Sequence, residues 1–219
     1  MRAVRAIATL LALLCPVWAL AGGGWQDTPD ALRLEAMGDT LRMNGTPMDI
    51  RAFHGKQPID ALLRDVQASW ERQPGHAPVR RTTLPNWIVL NQAVGDQHRS
   101  FQVRAQGEQV EGFVALTSPA QRREPVLAVR LPPQMLAMQI VDSVDQGRAS
   151  QQVTAVSTRS IEATAMALDQ SLRASGWQRQ VLKKQGGALR LSASRGAEQF
   201  DAILSAQKTG ALVLISTVQ

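Results

Sequence analysis

Asp96, His98 and Ser100, in the run GDQHRSF, are the residue types of a hydrolytic triad, spaced two apart. On a strand that spacing aims all three the same way in a row. Nucleophilic catalysis needs the imidazole between hydroxyl and carboxylate, with an oxyanion hole beside them. No G-x-S-x-G elbow occurs, so the expectation is a polar hairpin end and no catalytic residues. His54, His76 and His98 offer no metal centre either. None stands at the short spacing from a second His or Cys by which zinc sites announce themselves, and ordinary surface histidines are expected. GGGW and KKQGGA lack the strand–loop–helix context and the lysine of a phosphate cradle, so no cofactor is expected.

The residues suited to binding are basic and aromatic. Arg80–Arg81 and Lys183–Lys184 each follow a predicted helix and precede a turn, which makes a paired basic rim for an acidic protein or anionic glycan one reading. The commoner reading is a charged, edge-protecting turn; Arg122–Arg123 carries less weight. The chain has no tyrosine and four phenylalanines, so tryptophan does much of its aromatic work. Trp70 falls on a helical apolar stripe and belongs to a core, whereas Trp87 and Trp177 begin strands. Trp25 has no evident packing partner and is the natural anchor for a groove on another protein.

What must position these residues begins after a leader. MRAVRAIATLLALLCPVWALA has Arg2 and Arg5, then an apolar run, then Ala19 and Ala21 at the −3 and −1 places of an A-x-A site. This is the order of a signal peptide over residues 1–21. An uncleaved anchor would need about 20 apolar residues; Ala6 to Ala21 supplies sixteen, interrupted by Pro16. Leu14 before Cys15 does not suit a lipobox, so the mature chain is expected to lack cysteine and any transmembrane segment. Such a chain suits an oxidising compartment. Losing the two leader arginines lowers the formal charge from +6 to +4, and with export this makes nucleic acid an unsuitable partner.

Residues 22–40 read as a loose arm, with one helical turn conceivable at PDALRLEA. From Leu41 a grammar sets in that is used twice. Asn44–Gly45 turns a hairpin, and Ile59, Leu63, Val66 and Trp70 then stand at i, i+4, i+7 and i+11 on one helical face. Four short strands follow, near 79–83, 87–93, 100–106 and 112–117. In the second half a hairpin turns at Asp145–Arg148, Ser160 caps a helix with Ile161, Ala165, Leu168 and Leu172 at the same spacing, and strands follow near 177–182, 188–194, 199–205 and 211–218. Without gaps, Phe101 aligns with Phe200, Val103 with Ala202 and GFVALTS with ALVLIST, ninety-nine residues apart.

These patterns predict an α+β fold of two similar units, 41–118 and 135–219, each an antiparallel sheet with one helix on it, joined by a Pro-rich linker at 119–134. The linker's VLAVRL could be an edge strand or a strap. The last strand of each unit is apolar on both faces, which calls for cover on the second face from the other unit or a partner. Function follows as expectation: a non-catalytic, exported accessory protein of the Gram-negative envelope, periplasmic or secreted, binding a protein of a secretion or pilus assembly. The alternative is a binder of a small molecule or anionic glycan between the units, where the basic pairs would have to converge. Anionic lipid is a further candidate surface.

Overall fold

A computed structural model of the chain describes residues 28–29, 32–72 and 75–219. After β1 (Leu34–Ala36), the first unit runs β2 (Thr40–Met43), β3 (Thr46–Gly55), α1 (Ile59–Glu71), β4 (Arg80–Thr83), β5 (Ile88–Val94), β6 (Gln97–Gln106) and β7 (Gln109–Thr117). A single 3-10 turn at Pro119–Gln121 opens the connection. The second unit is β8 (Met135–Asp145), β9 (Arg148–Ser157), α2 (Ile161–Ala174), β10 (Gln178–Gln185), β11 (Ala188–Arg195), β12 (Glu198–Gln207) and β13 (Gly210–Val218). The fold is α+β, and the pattern of hairpin, helix and four strands occurs twice.

All strands belong to one antiparallel sheet in the order β10-β11-β12-β13-β9-β8-β2-β3-β7-β6-β5-β4, with β1 added against β3. The two halves of this order mirror each other, and the reason lies at the hairpin turns. Asn44 and Gln146 both take φ near +50°, followed by Gly45 and Gly147 at +78° and +77°. Two successive positive φ values match the twist of a two-residue hairpin and favour Gly in the second place. Counting back from these turns makes Leu41 and Ser143 equivalent, and they are also directly paired across β2 and β8. A local twofold axis therefore passes through that pair. The units join edge to edge, and neither lies over the other's sheet.

The helices form where the periodicity places them. Ser160 Oγ accepts from the Ala163 N–H at 3.2 Å and caps α2; Pro58, with its φ already near helical values, precedes α1 without a side-chain cap. Leu62, Leu63, Val66 and Trp70 of α1 pack with Phe53, Phe101, Val103, Val110 and Val114. Ile161, Ala165, Leu168 and Leu172 of α2 pack with Val153, Leu191, Phe200, Leu204 and Val213. Each fully buried aliphatic side chain of this kind contributes about 1.5–3 kcal/mol, and each unit has its own core.

The gapless match at ninety-nine residues is not the structural one. The β6 and β12 hairpins close on Gln106–Gln109 and Gln207–Gly210, so equivalent residues here lie 101 apart. Phe101 thus corresponds to Ala202, and Phe200 to Arg99. A slip of two keeps every side chain on its face, which is why the apolar pattern could not reveal it.

The arm and the linker are both placed against the units. Leu34–Ala36 is a strand on β3 and not a helical turn, and Leu32, 6% exposed, joins the first core, so this part of the arm is docked. The linker straps the helix-bearing face of unit 2. Val129 is buried in that core, and Gln151 holds the strap like a rung of sheet, accepting from Ala128 N–H at 2.9 Å and donating to Val126 C=O at 2.8 Å. Near its start, the Arg123 N–H donates to Gly45 C=O at 3.2 Å. A Cβ on Gly45 would lie 1.7 Å from the Arg123 carbonyl oxygen, so the crossing requires glycine there twice over.

Candidate functional site

The two basic pairs lie on β4 and β10, the outermost strands at opposite ends of the sheet. They do not meet. They are also not equivalent: counting from the β4–β5 and β10–β11 turns, Lys183 and Lys184 correspond to Thr82 and Thr83. One member of each pair nevertheless reaches the same place. Arg81 approaches Asp60 at 4.0 Å, and Lys184 donates to Glu162 at 3.2 Å, both acids standing second in their helices. Glu162 is held below the usual carboxylate range, first by a hydrogen bond from its own backbone N–H at the helix start and then by Lys184. Arg80 and Lys183 make no ion pair among the described residues. Trp25 and the leader lie outside those residues.

Trp70 is fully buried as expected. Trp177, 4% exposed, meets the Phe200 ring edge-on at 6.0 Å. Trp87 is not part of the helix-side core: it lies on the opposite face, stacked on Phe113 at 5.3 Å, with Arg104 over it at 4.9 Å. His98 and Ser100 share a strand face, while Asp96 sits in the preceding turn. Among the described residues no group of three His, Cys, Asp or Glu could hold a metal ion.

The surface that sequence reasoning pointed toward without locating is the sheet face away from the helices. Its second side is not covered by the other unit. In unit 1, Trp87, Arg104, Glu111 and Phe113 shield it, Arg104 also pairing with Glu111 at 2.6 Å, and Ala115 beneath is buried. The equivalent positions of unit 2 are Ala188, Ser205, Leu212 and Leu214. There Leu136 pairs across Val156, Val156 across Leu212, and Leu214 across Ile203. The result is an apolar patch in which Leu136 is 64%, Ile203 51% and Leu214 49% exposed. Arg190, bound to Asp201 at 2.7 Å, borders it. The signal for this patch was present in LVLI of β13, but only the edge-to-edge joining of units leaves it bare.

Between the units, on the helix side, a groove of about 540 Å³ is bordered by Arg42, Asp142, Gln151 and the strap at 123–128. Arg42 donates to Gly45 C=O at 3.0 Å, and Asp142 accepts from Gln151 at 2.6 Å, so these polar groups already serve the fold. No helix among the described residues is long and apolar enough to cross a membrane. No protein-family model, curated protein or solved structure matches the chain.

Proposed function

We propose that this is a non-catalytic binding protein, exported by its leader, that recognises another protein of the cell envelope, with a secretion or pilus assembly as the setting. The observation that carries the reading is the bare apolar face of unit 2. Exposed aliphatic side chains assembled over four adjacent strands lose hydration cost when covered, and such patches mark interaction surfaces. The equivalent face of unit 1 is shielded by its own aromatic and charged side chains, so the asymmetry has no origin in the shared backbone. Recognition in the inter-unit groove is less favoured, because the basic pairs that would draw an anion there stand at the far edges.

The test is capture of envelope proteins on the immobilised chain, in parallel with Leu214→Asp and Ile203→Asp variants. Both sites are about half exposed, so the variants should remain folded. The expected outcome is a defined protein retained by the parent chain and lost by both variants. Retention of the same proteins by all three chains would remove the patch from the account.

A further inference from the structure

We propose a second recognition element in unit 2, resting on the reading of this chain as a protein-binding module: the groove between β10 and α2 takes an extended, acidic segment of a partner, added as a strand to the sheet. The two sheet ends differ in a way that bears directly on this. β4 pairs over four residues, whereas β10 is eight residues long, exposed throughout, and has no neighbour on its outer side among the described residues. Its two-residue turn closes on the Gln185–Ala188 pair. Alternation along an antiparallel ladder then directs the backbone groups of Lys184 and Leu182 outward, where an added strand can pair with them.

Beside that edge lies a groove of about 710 Å³, walled by Met166, Ala167, Gln170 and Arg173 of α2 and by Arg179 and Leu182 of β10. Met166 is 69% exposed and, with Leu182, offers an apolar seat for alternate side chains of an incoming strand. The charge around the seat is basic. Arg173 and Arg179 share one oxygen of Asp169, at 2.9 and 3.1 Å, which fixes both guanidinium groups and leaves an excess of one. Lys184 is matched by Glu162, while Arg159, which also lines the groove, has no ion partner among the described residues. An extended segment whose groove-facing side chains, at every second place, are acidic and apolar in turn complements this arrangement.

The same features also blunt the edge against the wrong partner. Lysines and the irregularity between Arg179 and Val181 disfavour pairing with a second copy, which would set basic edge against basic edge. They do not disfavour an acidic strand. The basic pair Lys183–Lys184 thereby has a role that Arg80–Arg81, on a strand half as long, lacks the template to share.

The experiment uses the chain from residue 22 and a labelled peptide of about ten residues with Thr at every second place and Glu and Leu in turn between, so that acid and apolar side chains share one face, long enough to span β10. Controls are the same peptide with Lys for Glu, and one N-methylated at alternate residues to remove backbone donors. Expected are saturable binding of the acidic peptide alone, slowed amide exchange at Leu182 and Lys184, and at least about tenfold weaker binding to Arg173→Glu and Met166→Glu. Leu214→Asp, on the other face, should bind the peptide as the parent does. Equal binding of the Lys peptide, insensitivity to N-methylation, protection at β4 instead of β10, or no binding overturns the proposal. So does concentration-dependent dimerisation that protects β10 and resists the peptide. If the peptide fails while envelope capture still depends on Leu214, only this inference falls; if both fail, the binding-module reading falls with it.

Discussion

The two units place different chemistry at one point of the same framework, where the helix C-terminus meets the second and third strands of the meander. In unit 1 the cross-strand pair is Gln92–Arg99, and in unit 2 the equivalent pair is Ala193–Phe200. Arg99 is 1% exposed. It donates to Gln92 Oε1 at 2.8 Å through Nε, reaches the Trp70 carbonyl at 3.4 Å, and lies over the Trp70 ring at 4.4 Å. Gln92 also donates to Ala77 C=O at 2.7 Å. Side chains thus cap the end of α1 and suit the negative end of its dipole.

Unit 2 closes α2 with its backbone instead. Gly176, at φ +83°, lets its N–H reach Arg173 C=O and the Trp177 N–H reach Leu172 C=O, both at 3.0 Å. This is a Schellman closure. With those carbonyls satisfied, the site beneath needs no polar group and holds Phe200 against Trp177. A helix end can be satisfied from the chain or from a neighbour, and the choice determines whether the adjoining core is charged or apolar. Volume is exchanged in the same spirit. Phe53 and Phe101 stack at 4.8 Å in unit 1 over Gly112, where unit 2 has Ala155, Ala202 and Val213. A Cβ on Gly112 would lie 1.9 Å from the Gln102 carbonyl oxygen and 2.7 Å from the Phe53 ring, so the close approach of β6 and the bulk of the ring both require glycine there.

Swapping residues between the units is the direct way to break this contrast. The largest effect is expected from Phe200→Arg, which buries a guanidinium where Ala193 has no side-chain acceptor and the helix carbonyl is already bonded. The loss should be about 4 kcal/mol, read as a lowered urea midpoint. Arg99→Met comes next, at about 2–3 kcal/mol, because it strands the Gln92 oxygen in a buried site. Here the contrast can be sharpened. Combining Arg99→Phe with Gln92→Ala, the unit 2 pair, should cost less than the sum of the single changes by about 1 kcal/mol in a double-mutant cycle. Strict additivity would mean that the polar pair does not act as a unit.

Gly176→Ala should cost about 1–2 kcal/mol, since the added Cβ has room, at 3.8 Å from the Arg195 side chain, and the penalty is left-handed backbone alone. The smallest effect is expected at the helix starts. Because the Glu162 carboxyl is held below its ordinary range, its contribution to stability is present above the unfolded-state pKa and is lost as pH falls through the folded one. Glu162→Gln should therefore lower stability slightly near neutral pH and leave it unchanged at low pH, where the parent carboxyl is protonated, so that the acid limb of the profile is flatter. A pH titration of thermal unfolding for parent and variant would detect it.

Much of the framework was legible in the chain. Both helices, both hairpin turns and the Ser160 cap are local matters, set by helical periodicity, by residues that tolerate positive φ and by a side chain within reach of the backbone. The meander strands were legible to within a few residues. The docking of Leu32 and Leu34–Ala36 was not legible, because Leu32 finds its core only after β3 and β7 have paired. Neither the strap nor its hold on Gln151 is encoded by a neighbour in sequence: Ala128 and Gln151 are brought together by the β8–β9 hairpin. For binding, the sequence marked Arg80–Arg81 and Lys183–Lys184 as a matched pair of features. The fold separates them to opposite edges and gives Lys183–Lys184 a strand twice as long, beside a groove against α2.

By itself the amino-acid sequence determined which residues are helical, which strand faces are apolar and that one pattern is used twice. Tertiary structure decided which copies of that pattern are equivalent, that the copies meet through β2 and β8, and that one face of the sheet stays open. The division has a physical cause. Side chains alternate along a strand with period two, so a shift of two residues leaves the apolar pattern intact, and only turn closure and cross-strand hydrogen bonds between distant residues fix the register.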